Sequence, residues 1–331
     1  MPRVLISTEI LRDQTGPHTE ILSQAGFEIV FPKNHKLGRG VCGYEETIEE
    51  LHGVHAVLAG AEYMTAETFS AVPSLRVIAR TGVGYDRIDV AAATRHDVLL
   101  TITPTANHAA VAEHAFALLF AISKRVVTGD RDTRAGQWPR ELTQPIRGKT
   151  IGLLGMGRTG KSMANRAQAF GMTVIAHDPF ACGDYARSHN IELVDLITLA
   201  ERCDVLSIHC PDIEATRGVV DQTLLNRMKP TAILINTARG PIVNETDLID
   251  ALRRGQIQAA GLDVYEAEPP ASDNPLFELE NVVLTPHSAG GEQLAMRDMA
   301  IESAQCIVSL FAGHWPEGAV VNDQLRSSWK W

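Results

Sequence analysis

The chain has 331 residues, enough for two domains that each bury a core of their own, which excludes a single small module. Hydrophobic residues make up 45% and charged residues 21%, the balance of a globular protein and not of a disordered one. With 30 Lys and Arg against 40 Asp and Glu the formal charge is -10, and aromatics are only 5%, so neither a phosphate-condensing nor a base-stacking surface is offered and nucleic acid is excluded as the main partner.

In chain order, the first residues place charges on both sides of a short apolar stretch, too short for the core of a secretory signal. Apolar runs ended by turn residues then alternate with helix-period segments, the pattern of parallel strands joined by crossover helices. Strands are predicted at residues 4–7, 27–31, 56–59, 77–79 and 98–102. A second series falls at 150–154, 173–176, 205–209, 232–236, 259–264 and 282–285, the six strands of a doubled dinucleotide-binding unit. Two longer helices, 107–127 and 291–311, flank that series and are expected to cross between two lobes; Gly313 closes the second.

The longest apolar stretch, 109–127, contains Glu113, His114, Lys124 and Arg125, so no membrane span is expected and the protein is read as soluble. Residues 129–148, with Trp138, Pro139 and Pro145, read as an arm whose apolar groups need a partner surface, hence a homodimer. The tail carries Trp315, Trp329 and Trp331, rings expected to pack down. The five cysteines are scattered without a C-x-x-C pair, which speaks against a disulfide framework and for a reducing cytoplasm. His52 and His55 sit before a strand, and His108 and His114 are six apart, not the spacing that puts two ligands on one helical face, so no metal site is expected.

Residues 155–162, GMGRTGKS, follow a strand and satisfy two phosphate-binding patterns. As G-x-G-x-x-G, Gly155 makes the tight turn, Gly157 lets pyrophosphate approach, and Gly160 lets the helix pack on the strand. As G-x-x-x-x-G-K-S, Lys161 would meet phosphates and Ser162 a magnesium ion. Asp178, at the end of the next strand, is placed to accept from an adenosine ribose and favours the dinucleotide pattern. The later strands end in His209-Cys210-Pro211 and Asn236-Thr237, which offer no second magnesium carboxylate. A carboxylate at the ribose disfavours the extra phosphate of NADP, so the expected cofactor is NAD.

Hydride transfer to a carbonyl requires a cation to hold and polarise the substrate, a proton donor, and a group that tunes the donor. Three motifs offer one each: Thr237-Ala238-Arg239-Gly240-Pro241, the stretch from Gly261 through Asp263 to Glu268-Pro269, and Thr285-Pro286-His287. Together with Arg80-Thr81-Gly82-Val83-Gly84-Tyr85-Asp86, the glycine loop and His209-Cys210-Pro211, they make nearly the whole chain resemble the D-isomer-specific 2-hydroxyacid dehydrogenase family, and within it the phosphoglycerate dehydrogenases.

The resemblance implies an α/β protein of two doubly wound parallel-sheet lobes. A Rossmann NAD-binding lobe, residues 105–290, would be inserted into a flavodoxin-like substrate lobe of residues 1–104 and 291–331. It implies that Arg239 pairs with the substrate carboxylate and carbonyl, that His287 exchanges the proton on the C2 oxygen, and that Glu268 supports the imidazole. Arg158 and Thr159 would meet the pyrophosphate. Cys210, Pro211, Thr237, Ala238 and Ala289 would line the cofactor, and Asp263 would hold the carboxamide. Val83 and Gly84 would bring N–H groups to the substrate carboxylate; Asn107 is a further candidate, although a helix cap explains it equally well. Cys210 reads as a small loop residue and not as a nucleophile.

The chain departs from the phosphoglycerate enzymes in the first lobe, where Gly60-Ala61-Glu62-Tyr63-Met64 carries a carboxylate in place of basic side chains for a phosphate. Lys33, Lys36 and Arg39 are the alternative source of that charge. Ending at Trp331, it also leaves no room for a serine-sensing domain, so feedback by serine is not expected. The substrate stays open between D-3-phosphoglycerate with its oxo form, the leading candidate, and glyoxylate or hydroxypyruvate. An NAD-sensing corepressor is the alternative from another class.

Overall fold

The computed structural model describes all 331 residues. The chain divides into two units, one of Met1–Asn107 with Glu292–Trp331 and one of His108–Gly291.

The first unit holds five parallel strands, β1 (Arg3–Ile6), β2 (Glu28–Val30), β3 (Ala56–Ala59), β4 (Val77–Arg80) and β5 (Leu99–Thr101), in the order β2-β1-β3-β4-β5. This is the flavodoxin order. Alternate residues feed opposite faces. Leu5, Val57, Ile78 and Leu100 enter one core, and Val4, Ile6, Leu58, Val77 and Leu99 enter the other. The second face is covered by helix Gln293–Phe311, whose Ala300 and Ala304 allow close approach, and by Pro17–Gln24. Trp315, Trp329 and Trp331 pack against the same core.

The second unit holds β6 (Thr150–Leu154), β7 (Thr173–His177), β8 (Glu192–Leu193), β9 (Val205–Ile208), β10 (Ile233–Asn236), β11 (Ala259–Leu262) and β12 (Val282–Leu284). Every pairing is parallel and the order is β12-β11-β10-β9-β6-β7-β8, the Rossmann order with a seventh strand added. The strand absent from the six expected is β8, two exposed edge residues with no apolar pattern to reveal them. Helices His108–Ser123 and Arg158–Ala169 cover one face through Ala112, Ala115, Met163 and Ala164.

The helix expected over 107–127 ends at Ser123, because Arg125 turns left-handed at φ 52° and a second helix, Val126–Arg134, starts there. The arm expected from Gly129 therefore begins inside a helix, one that buries none of its residues. Beyond it Trp138 is 76% exposed and Leu142 fully exposed. No helix is long and apolar enough to cross a membrane.

Candidate active site and cofactor cradle

In the second unit the glycine loop joins β6 to helix Arg158–Ala169, and each glycine has a distinct geometric reason. Gly155 has φ 105°, and a Cβ there would lie 2.7 Å from the Cys210 nitrogen. A Cβ on Gly160 would lie 2.2 Å from the Gly155 carbonyl oxygen, so only glycine lets the helix start this near the turn. At Gly157 a Cβ would meet nothing within 4 Å, which is the open approach a pyrophosphate needs. Gly157 is the N-cap and supplies no side-chain cap, so the first-turn amides, Arg158 and Thr159 among them, are offered to an anion.

Asp178 directly follows β7. One carboxylate oxygen accepts from the Met156 N–H over 2.7 Å and the other from the Phe180 N–H over 2.8 Å, so the residue also fastens the glycine loop. The competing phosphate pattern loses its two side chains. The Lys161 ammonium sits 4.3 Å from the centre of the Tyr185 ring, and the Ser162 hydroxyl accepts from Arg166 over 2.6 Å. After β9, burial pushes the Cys210 thiol up to about 12, which leaves no thiolate for chemistry. Pro211 follows it in the same loop. The Thr237 hydroxyl is buried without a partner, a polar atom waiting for a ligand in the expected cofactor lining.

Arg239, Glu268 and His287 stand beyond the carboxyl ends of three successive neighbours, β10, β11 and β12, the edge at which open α/β sheets take ligands. Asn236, fully buried at the end of β10, accepts from the Ala238 N–H over 3.0 Å and donates to the Arg239 carbonyl over 2.9 Å, setting the arginine turn. Gly240 lies so near the next loop that a Cβ would fall 1.8 Å from the Tyr265 carbonyl oxygen. Side chains longer than hydrogen are excluded, and the Arg239 turn is thereby registered against the segment leading to Glu268.

The Glu268 carboxylate is 2.7 Å from His287 Nδ1 and also accepts from the Tyr265 N–H over 3.2 Å. Because a carboxylate only accepts, Nδ1 carries the hydrogen, and the half-exposed ring is left with Nε2 for exchange with solute. His287 itself has φ 50°, an unusual conformation for a side-chain-bearing residue, held by its N–H donating to the Asp263 carbonyl over 2.8 Å.

The Asp263 carboxylate, just after β11, is buried and turned to the loop after β12, accepting from the Thr285 hydroxyl at 2.6 Å and from the Ser288 and Ala289 N–H groups at 2.9 Å each. His114 Nε2 lies 3.4 Å away and 2.9 Å from the Thr285 hydroxyl. Burial would raise the carboxyl pKa, but these hydrogen bonds outweigh it and hold the group below the usual carboxylate range. Asp263 thus fastens the loop that carries His287, with the Ala289 amide as one of its donors. Thr285 and His114 escaped sequence reasoning because their partners come from other segments of the chain, and Asn236 because an asparagine ending an apolar strand does not reveal that it folds the next turn.

In the first unit, Val83 and Gly84 follow β4, and neither of their N–H groups donates to any group of the chain. Asn107 is the last residue of that unit before the helix His108–Ser123. No group of three or more His, Cys, Asp or Glu side chains is arranged to hold a metal ion.

A Rossmann sheet with an uncapped glycine turn, followed by an arginine, a glutamate and a histidine on consecutive strand ends, defines a dinucleotide-binding α/β protein. Residues 116–289 match the family model of the D-isomer specific 2-hydroxyacid dehydrogenase NAD binding domain. The D-3-phosphoglycerate dehydrogenase of Archaeoglobus fulgidus is 39% identical over 272 residues, 81% of this chain and 52% of that protein. The glyoxylate reductase of Korarchaeum cryptofilum is 41% identical over 267 residues, 79% of this chain and 80% of that one. The crystal structure of the TT0316 protein from Thermus thermophilus superposes with a TM-score of 0.84 at 32% identity, covering 96% of this chain and all of that one. The chain belongs to the D-isomer specific 2-hydroxyacid dehydrogenase family, with its NAD binding domain in the second unit. It spans about half the length of the phosphoglycerate dehydrogenases it matches, 52% of the Archaeoglobus protein.

Proposed function

We propose that the protein is an NAD-dependent D-2-hydroxyacid dehydrogenase interconverting a small 2-oxo acid and its D-2-hydroxy acid. The observation that carries this reading is the 2.7 Å pair of His287 and Glu268 beside the Arg239 turn. The nicotinamide, when bound, supplies the hydride to C2 or accepts it. Gly157, Arg158 and Thr159 take the pyrophosphate, Asp178 the adenosine ribose through its remaining lone pairs, and Thr237 with Ala238, Cys210 and Pro211 the rest of the cofactor. Arg239 pairs with the substrate carboxylate and draws the charge that develops on the C2 oxygen. His287 Nε2 delivers a proton to that oxygen in reduction and takes it back in oxidation, while Glu268 compensates the imidazolium. Val83 and Gly84 receive the carboxylate from the first unit, with Asn107 a further substrate contact.

D-3-phosphoglycerate and 3-phosphohydroxypyruvate are the leading substrate pair. A glyoxylate or hydroxypyruvate reductase is favoured by one observation, the fully buried Glu62 carboxyl where a phosphate would call for a cation. Steady-state rates with 3-phosphohydroxypyruvate, hydroxypyruvate, glyoxylate and pyruvate decide it; no preference for the phosphorylated acid removes the leading pair. Equal efficiency with NADPH and NADH removes the role of Asp178 in cofactor choice. The exposed Trp138 and Leu142 support a homodimer, which a monomeric mass in solution overturns. The five free cysteines suit a cytoplasmic enzyme.

A further inference from the structure

Two residues to which the resemblance assigns no role, Arg80 and Thr103, hold the loop at 82–84 from opposite ends. Arg80, the last residue of β4, donates from Nε to the Gly84 carbonyl over 2.8 Å and from Nη1 to the Ala59 carbonyl at the end of β3 over 3.1 Å. Its own carbonyl accepts from the Ser303 hydroxyl over 3.0 Å, so the strand end is fixed from helix Gln293–Phe311 as well. Thr103, two residues beyond β5 and fully buried, grips Gly82 twice: its hydroxyl accepts from the Gly82 N–H over 2.8 Å, and its N–H donates to the Gly82 carbonyl over 3.0 Å. Gly82 takes φ 144°, which a side chain would resist. The Gly82 N–H and the Gly82 and Gly84 carbonyls are thus satisfied internally, whereas the N–H groups of Val83 and Gly84 are left over. An adjacent pair of unspent amides on a loop held at both ends forms a preorganised carboxylate receptor.

We infer that Arg80 and Thr103 are positioning residues that preset the Val83 and Gly84 amides for the substrate carboxylate. The inference rests on the proposed dehydrogenase reading and adds to it where substrate affinity is set. Thr103 has no exposed surface, so its effect on substrate can only pass through Gly82. Arg80 acts through a fork of two carbonyls that a lysine cannot span, so its charge alone does not suffice.

The test uses Thr103→Val, Thr103→Ser, Arg80→Gln and Arg80→Lys in the full chain. For each, thermal melting, NADH affinity by fluorescence, steady-state rates with the preferred 2-oxo acid, and binding of oxamate to the NADH complex are measured. Thr103→Val, Arg80→Gln and Arg80→Lys are expected to raise KM and the oxamate Kd about tenfold, the loss of one to two hydrogen bonds, with kcat within about threefold and NADH affinity unchanged. Thr103→Ser keeps the hydroxyl and restores KM even if the valine variant melts early. Wild-type KM in Thr103→Val, or full rescue by Arg80→Lys, overturns the inference alone. A wild-type protein that neither reduces any acid of the panel nor binds oxamate overturns the dehydrogenase reading, and this inference with it.

Discussion

The Ala289 main-chain N–H ends on the Asp263 carboxylate at 2.9 Å, while the Asp263 carbonyl holds the His287 N–H at 2.8 Å. One residue thus sets both the backbone and the onward path of the loop bearing the proposed proton donor. Asp263→Asn places an amide donor against donors already there. It is expected to lower kcat about tenfold or more with the fold intact, measured by steady-state rates beside circular dichroism. The Asp263 pKa is depressed in the fold, so its contribution to stability is fully present above the ordinary carboxylate value. It is lost as pH falls through the lower folded value. The acid limb of a plot of melting temperature against pH should flatten in Asp263→Asn.

The proposed proton donor, His287, and the proposed substrate-binding cation, Arg239, should separate kinetically. His287→Ala should reduce kcat by about 10²- to 10⁴-fold, the range of general acid catalysis, with NADH affinity retained. Arg239→Ala should cost about 10²-fold or more in kcat/KM, because it binds substrate and transition state alike. Wild-type turnover in His287→Ala would remove it as the proton donor.

Gly240→Ala forces a methyl group to within 1.8 Å of the Tyr265 carbonyl oxygen, and since both partners are backbone neither can rotate away. Destabilisation of about 3 kcal/mol or more is expected, with activity lost along with solubility. Gly129→Ala is the control. That position lies within helix Val126–Arg134 with open space around it, and the change should stabilise by about 0.5–1 kcal/mol. Melting of the two variants distinguishes a packed glycine from an idle one.

Glu62 is held at a cost. Burial drives its carboxyl pKa upward, only partly offset by the Ser7 hydroxyl, nearby amides and the Arg80 charge, and neither oxygen receives a well-formed hydrogen bond. The folded state therefore keeps the proton longer than the unfolded chain does. Stability falls as pH climbs from the ordinary carboxylate value to the raised one, and stays lower above it. Glu62→Gln should raise the melting temperature at pH 8 by about 2–4 °C, roughly 1 kcal/mol, and remove that part of the pH dependence. A variant that melts below wild type at pH 8 would contradict this account.

The strands were legible because parallel sheets covered on both faces write themselves as unbroken apolar runs: Ala56–Ala59 is buried at every position. β8 was not, since two exposed residues bury nothing. The break at Arg125 was hidden because no glycine or proline marks it. Within the site, residues in contiguous motifs announced themselves, as Gly155 and His287 did. The grip of Asp263 on the His287 loop was not legible: a motif reports that a carboxylate is present, not which way it faces, and the amides that hold it lie 25 and 26 residues later. His114 and Thr103 carry no local pattern at all, and Thr285 stood in a motif that gave it no role; their employment exists only once distant segments meet.

The tail that carries three tryptophans also lies along the edge of the first sheet. Ala319 accepts from the Ile102 N–H, Val321 donates to the Leu100 carbonyl, and Asn322, wholly buried, takes the Leu100 N–H and donates to the Val98 carbonyl. β5 therefore finds its outer neighbour in residues more than 200 positions later in the chain. During synthesis the residues of the second unit, His108–Gly291, are all available while β5 still lacks that neighbour, so the edge of the first sheet closes only after the second unit's sequence is complete.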